Sequence, residues 1–304
     1  MTQEHKDLAA TLQMTLETAV IKMATWLYEQ TGIHNLCLAG GTAMNCSMNG
    51  KLAQLPFVDN IFIQPVAHDA GTALGAALSV HVEKSGTRPN WRMEHAYWGA
   101  AYNNDDIELT LKSFSGISYH QCKDICLETA QVLMEGKVVG WFQGKFEAGA
   151  RALGNRSILA NPSLPEMKDK VNIKVKNREP WRPFAPSMLK EATDRYIESP
   201  LLSPFMILAF DTKPETRSEI ISAVHVDGTC RPQTVDKQTN PRYWELIQRF
   251  NELTGIPALL NTSFNVKGQP IVNTPHQAID TFLNCGMDVL AIGDFLVTKE
   301  SKNE

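Results

Sequence analysis

Two short apolar runs, residues 35–39 and 60–64, each pass through a small-residue turn into a helix-forming stretch, residues 42–52 and 71–83. This strand–helix–strand–helix order is a β-α-β-α unit, whose two strands pair in parallel across the first helix. A two-stranded parallel sheet cannot stand as a finished domain, because its edges stay unpaired and one face stays uncovered. More sheet has to come from elsewhere. Before this unit, Leu8, Leu12, Leu16, Val20, Met23 and Leu27 recur at three- and four-residue steps and predict one long amphipathic helix.

The pattern changes at residues 94–105, a polar stretch without period that contains Gly99, Asn103 and Asn104 and reads as a crossing into a second region. Beyond it come a helix at 124–134, a strand at 138–142 and a glycine- and arginine-rich loop at 143–156. Strands at 205–210, 220–225, 257–260 and 289–292 are interleaved with helices at 241–253 and 275–284. An α/β chain of two domains, 1–98 and 99–304, is the expectation, and 304 residues suffice for both. With 43% hydrophobic residues, 20% charged and a net charge of −4, the chain is expected to be globular and soluble rather than disordered or nucleic-acid-coating. Six scattered cysteines give neither a disulfide framework nor a zinc ribbon. No signal-like start and no bilayer-length apolar run is present, so a cytoplasmic location and no membrane partner are expected.

Chemistry concentrates in a few stretches. Gly40 and Gly41 with Asn45, between a strand and a helix, are either a tight turn or a cradle for phosphate or a ribose edge. Asp69, placed at the N-cap of the next helix, either caps it or, with His68, contributes to a metal site. The third stretch is the most distinctive. From Gln143 to Arg182 nine Lys or Arg face four acids, a local +5 inside a chain of −4. Lys170, Lys174 and Lys176 read as a solvated helix face. Lys145, Arg151, Arg156, Arg178 and Arg182 sit among glycines and prolines at spacings too irregular for one helix surface, and rigid guanidinium forks suit phosphate. A polyanionic small molecule fits best. RNA backbone is second, since the aromatic platforms of single-strand binders are missing. His225 lies in a polar strand end, and Asn261, Ser263 and Asn265 close a buried strand with hydrogen-bonding groups that serve either a ligand or a local turn.

Taken in order, Gly40-Gly-Thr-Ala-Met-Asn45, Asp69-Ala-Gly-Thr-Ala-Leu-Gly-Ala-Ala77, Gly140-Trp-Phe-Gln-Gly144, Arg151-Ala-Leu-Gly-Asn-Arg-Ser157, Arg178-Glu-Pro-Trp-Arg-Pro-Phe-Ala-Pro186, His225-Val-Asp-Gly-Thr229 and Leu260-Asn-Thr-Ser-Phe-Asn265 resemble the O-carbamoyltransferases that act through carbamoyl adenylate, the family of nodulation, cephamycin and aminoglycoside carbamoyltransferases. The resemblance covers essentially the whole chain. It implies that residues 1–98 are similar to the closing part of an actin-like α/β domain, and residues 99–304 to the threonylcarbamoyl-adenylate synthases. Family members run to roughly twice this length, so the resemblance implies a fragment or a subunit of a split enzyme. The histidine pair with which the family's aspartate, matched by Asp69, holds a metal, iron by implication, is absent.

The resemblance further implies that carbamoyl phosphate yields carbamate, which attacks the α-phosphorus of ATP, bound with Mg2+. In that scheme Lys145 and Arg151 act in catalysis with His225 as general acid or base. Arg156, Arg178, Arg182, Asn261, Ser263 and Asn265 bind substrate, Gly40, Gly41 and Asn45 bind nucleotide, and Asp69 binds metal. Expected partners are carbamoyl phosphate, ATP, a small hydroxyl-bearing acceptor, and either the absent half, a partner chain or further copies; nucleic acid is not expected. Binding of carbamoyl phosphate and ATP is expected of this chain, and acceptor carbamoylation is not. The rival readings are a tRNA-modifying relative of the same chemistry and a non-catalytic partner.

Overall fold

The structure is a computed structural model that describes residues 2–199 and 201–300. The chain divides into two compact units, Met1–Trp91 with Ile207–Ala209, and Arg92–Met206 with Phe210–Glu304.

The first unit contains α1 (Gln3–Thr31), β1 (Asn35–Leu38), a 3-10 turn (Gly41–Met44), α2 (Cys46–Ala53), β2 (Asn60–Ile63) and α3 (Gly71–Ser85). β1 and β2 pair in parallel, Asn35 opposite Asn60 through Leu38 opposite Ile63. The single helix expected over 42–52 is broken at Asn45. Its backbone is extended there, and its side chain caps α2 by accepting from the Met48 amide at 3.0 Å. The core is small: Ala24, Met48 and Leu52 are buried, with Leu16, Val20, Ile21, Leu36, Leu38, Leu55 and Ile61 packed around them. Only part of the α1 stripe enters it, and Leu8, Leu12, Met23 and Leu27 stay exposed. Residues 207–209 are not part of the strand expected at 205–210. The Asn49 side chain donates to the Ile207 carbonyl at 2.9 Å and the Ala209 amide donates to the Cys46 carbonyl at 3.1 Å, so this backbone serves α2 instead of a ladder. A Cβ on Gly50 would lie 2.1 Å from the Ala209 oxygen, which is why glycine stands there.

The second unit contains α4 (Asn104–Lys112), β3 (Ile117–Gln121), α5 (Ile125–Met134), β4 (Val139–Phe142), β5 (Arg156–Ala160), α6 (Met167–Asp169), β6 (Ala185–Leu189), α7 (Thr193–Tyr196), β7 (Phe210–Asp211), β8 (Thr229–Cys230), β9 (Gln233–Val235), α8 (Pro241–Thr254), β10 (Ala258–Ser263), α9 (Pro275–Leu283), β11 (Val289–Ile292) and β12 (Phe295–Lys299). Eight strands form one mixed sheet in the order β3-β12-β11-β4-β5-β10-β6-β9. Successive strand residues point to opposite faces and feed two cores. Phe142, Ile158, Leu260 and Leu290 face the core that includes Ile107 of α4 and Phe282 of α9. Trp141, Leu159, Leu259 and Ala291 face the core that includes Leu133 of α5 and Phe250 of α8. The result is the expected α/β unit, and its helices lie on both faces of the sheet.

Two details differ. The stretch expected as a strand, 220–225, instead begins at Ile220, the kink in a 3-10 segment, Pro214–Ala223, which the fixed φ of Pro214 opens. Residues 92–98, assigned to the first domain from sequence, bond within the second unit: Tyr97 pairs with Glu147, and the Ala148 amide donates to the Ala96 carbonyl at 2.6 Å.

Candidate functional site

Three strand ends of the second unit meet in register. Phe142 at the end of β4 is opposite Arg156, and Ser263 at the end of β10 is opposite Ser157. The loop 143–155 leaves and returns at this point, and a buried carboxylate shapes it. Glu147 Oε1 accepts from the amides of Leu153 at 2.6 Å, Asn155 at 3.1 Å and Arg156 at 3.2 Å. Burial raises the Glu147 pKa above the usual carboxyl range, against the pull of those three amides. Trp141 Nε1 donates to the Gly154 carbonyl at 2.9 Å, and Gly154, at φ 99°, lies where a Cβ would strike the Tyr243 ring.

Arg156 belongs to this framework and does not line the arginine cavity. Its guanidinium is fully buried, donates to the carbonyls of Gln143 at 2.6 Å, Asn155 at 3.0 Å and Ala100 at 3.1 Å, and lies over the Phe142 ring at 3.7 Å. It locks the loop.

A cavity of about 420 Å³ opens beside the loop, lined by Arg151, Arg178, Arg182, Arg231, Asn261 and Ser263, with Trp181 and Phe184 in its wall. Three separate stretches of chain thus bring four guanidinium groups to one space. Asn172, itself buried, positions two of them: its Oδ1 accepts from Arg178 Nε at 2.7 Å, and its amide donates to the Arg182 carbonyl at 3.0 Å. Arg178 stacks over Phe184 at 4.8 Å. Burial first, and then the charge of Arg182, pulls its pKa down to about 10. Cations that depress one another's protonation in a half-enclosed space are relieved by an anion, and the planar forks offer paired donors for phosphate oxygens. Arg151→Ala is expected to weaken inorganic phosphate binding by about 1.5 to 3 kcal/mol, the range for a hydrogen bond to a charged group. Calorimetric titration checks it, and an unchanged affinity takes Arg151 out of the site.

Lys176, read from the sequence as part of a solvated helix face, lies behind this cavity instead. It is buried, and its ammonium donates to the Ser263 carbonyl at 2.6 Å, Ser263 Oγ at 3.2 Å and Asn265 Oδ1 at 2.7 Å. Burial, and then the neighbouring Arg178, brings its pKa down to about 7. Residues Lys170–Val175 form a π-helical turn and Asn177 has φ 49°, so the phase of the lysines is broken after Lys174. Lys170 pairs with Asp288 and Lys174 is exposed, while Lys176 turns inward. Its position two residues before Arg178 was the available signal. Asn261, also buried, donates to Ser187 Oγ at 2.9 Å and to the Ala152 carbonyl at 3.2 Å. Asn265 donates to the Gln269 carbonyl at 2.6 Å.

Other expected residues lie elsewhere. Lys145 lines a different cavity, about 580 Å³, with Tyr102, Asn104, Arg242 and Asp294. His225 spends both ring nitrogens inside the protein, Nδ1 on Thr229 Oγ1 at 3.0 Å and Nε2 on the Phe184 carbonyl at 3.2 Å, and neither is left to carry a proton to a ligand. Burial, and then Arg231, lowers its pKa, which favours the neutral ring. In the first unit Gly40 (φ 94°) already donates its amide to the Ala67 carbonyl at 2.8 Å, and Gly41 opens the 3-10 turn. The Asn45 side chain is held by α2 and by Gln13, to which it donates at 2.8 Å. Asp69 is exposed, and it is the Asp69 carbonyl, not the carboxylate, that meets Thr72 at the start of α3, where Ala70 is the N-cap. His68 Nδ1 accepts from the Ala70 amide at 3.3 Å. The metal implied by the resemblance does not fit here: among the described residues, the group of His, Cys, Asp or Glu whose ligand atoms gather closely is His120, Cys122 and Glu128 in the second unit, without Asp69.

The second unit is thus an α/β unit that carries a cation-lined cavity at converging strand ends. The chain belongs to the carbamoyltransferase family: the model described as carbamoyltransferase C-terminus matches residues 130–299, and the one described as carbamoyltransferase N-terminus matches residues 1–78. It is 46% identical over 304 residues to nodulation protein NolO of Bradyrhizobium diazoefficiens, covering 98% of this chain and 55% of that protein. To nodulation protein NolNO of Sinorhizobium fredii it is 44% identical, covering 99% and 45%. The chain therefore spans about half the length of these relatives. Among solved structures it is similar to full-length HypF in a phosphate- and nucleotide-bound form (TM-score 0.40, 18% identity, 62% of this chain and 23% of that one). A second is P. abyssi Sua5 complexed with L-threonine (TM-score 0.41, 13% identity, 56% and 46%). No helix among the described residues is long and apolar enough to cross a membrane.

Proposed function

We propose that the second unit forms carbamoyl adenylate, and that the first unit is the closing part of an actin-like domain that passes the carbamoyl group to the hydroxyl of a small molecule. Family membership supports the reaction class, and one observation supports the site: Arg151, Arg178, Arg182 and Arg231 share one cavity with Ser263, behind which Lys176 is buried. In this scheme water and carbamoyl phosphate give carbamate and inorganic phosphate. A carbamate oxygen then attacks the α-phosphorus of ATP, the bond to the β-phosphate breaks, and pyrophosphate leaves. The chain's contribution is positioning and charge. Four guanidinium groups neutralise phosphate oxygens whose charge shifts in the transition state, and Phe184, buried beneath Arg178, closes one wall against water. Asn261 and Ser263, near the end of β10, face this space; Asn261 Oδ1, buried without a partner among the described residues, accepts from the carbamoyl amino group.

The direct test is incorporation of labelled pyrophosphate into ATP by the purified chain. Incorporation that requires carbamoyl phosphate is the expected result; a folded chain that shows none overturns the adenylate reading. Acceptor carbamoylation is not expected from these residues alone, because among the described residues Asp69 belongs to no group of three metal-ligating side chains.

A further inference from the structure

We propose that His120, Cys122 and Glu128 form a binding site for a divalent ion of the zinc type, at the corner between β3 and α5 and apart from the arginine cavity. His120 stands near the end of β3 and Cys122 just past it, so extended backbone places both side chains on one face of the edge strand. Asp124 then caps α5 by accepting from the Leu127 amide at 3.0 Å, and this start puts Glu128 in the first turn, facing back to the strand end. His120 Nε2 lies 2.8 Å from Glu128 Oε2 and 3.8 Å from Cys122 Sγ, and the three ligand atoms are within 4.8 Å of one another. With bonds of about 2.0 to 2.1 Å to N or O and 2.3 Å to S, a tetrahedral ion holds its ligand atoms roughly 3.3 to 3.6 Å apart. Slight opening of the His120–Glu128 pair and slight closing on Cys122 meet that geometry.

The donor set selects the ion. One imidazole nitrogen, one thiolate and one carboxylate suit zinc and cobalt, whereas magnesium and calcium take oxygen throughout. Three protein ligands at an open edge leave the fourth position to water. An exposed ion pair would account for His120 and Glu128 at little gain in stability, but it gives no reason for the thiol beside them. The Cys122 amide also donates to the Asp294 carbonyl at 2.8 Å, and the Asp294 carboxylate meets Arg242 at 2.8 Å and Asn104 at 2.6 Å, so the ion would pin the rim of the larger cavity.

The probe is cobalt(II), titrated into the chelator-treated full chain without added thiols and followed by absorbance. The expected result is one equivalent bound, with the intense visible bands of tetrahedral cobalt and a near-ultraviolet thiolate-to-cobalt band, both displaced by zinc. Cys122→Ser abolishes the thiolate band and Cys37→Ser keeps it. His120→Ala weakens zinc affinity, read by competition with a chromogenic chelator, by at least about 100-fold. No band from a chain that circular dichroism shows folded, a thiolate band surviving in Cys122→Ser, or an unchanged zinc affinity in His120→Ala each overturns the site.

Discussion

Replacing Lys176 with Met is expected to reduce carbamoyl-phosphate-dependent pyrophosphate exchange by about 100-fold, because its ammonium holds Ser263 and Asn265 in place and a group displaced by about 1 Å costs that much. Met keeps most of the buried volume, so the fold should survive, and its circular dichroism and melting curve check that. The pH behaviour is the more specific readout. Without ligand the Lys176 ammonium loses its proton near pH 7, well below the ordinary 10.5. An anion in the adjoining cavity favours the charged form, so binding takes up a proton at pH 8 and weakens as pH rises past about 7. Titrations in buffers of different ionisation enthalpy detect that proton, and Lys176→Met should eliminate it. Stability follows the same sign. Between about pH 7 and 10.5 the unfolded chain carries a proton that the unliganded folded chain lacks, so this residue makes the folded state gain stability as pH rises through that window. An exchange rate and a proton count both unchanged in Lys176→Met would sink the role given to this lysine.

Glu147→Ala is expected to be strongly destabilising although it lies outside the cavity. It strips one acceptor from three buried amides, those of Leu153, Asn155 and Arg156, and unmade buried donors cost about 1 to 3 kcal/mol each, so a loss of roughly 3 to 9 kcal/mol is expected in chemical denaturation. Phosphate affinity should fall with it, because Arg151 rides on the same loop. Glu147→Gln separates the causes: its carbonyl oxygen can accept the same three bonds without charge. Recovery of most of the stability in Gln identifies hydrogen bonding as what holds the loop. A Gln variant as weak as Ala would show that the charge facing Arg156 matters instead.

The legibility of this chain followed the physics of each segment. β1, β2, β4 and β11 were readable because apolar runs bounded by glycine or polar turns have few other fates, and α5, α8 and α9 because their caps, Asp124, Asn240 and Thr274, precede periodic apolar residues. β5 was hidden because it opens with Arg156 and Ser157, which read as the end of a basic loop although both are buried. β6 was hidden by Pro186, tolerated because β9 joins only from Ser187 onward. Of the arginines picked for phosphate, composition could not separate those that line the cavity, Arg151, Arg178 and Arg182, from Arg156, whose partners are carbonyls brought near by folding. Lys176 was lost to an assumption of uniform helical phase that the π-turn breaks. Glu147 was counted as a stray acid, since nothing local announces an acceptor for amides six to nine residues ahead.

The sheet carries one more consequence. Each of the strands that meet at the cavity sends alternate side chains into two different cores, Trp141 and Leu159 to one, Phe142 and Ile158 to the other. Sliding β5 by a single residue would exchange the two sets and, in the same movement, carry Ser157 away from Ser263. Accurate placement of the cavity-lining groups is therefore inherited from hydrophobic sorting in the two cores, and drift in chain length across related proteins should be confined to the connecting segments, with these three strands kept at fixed length.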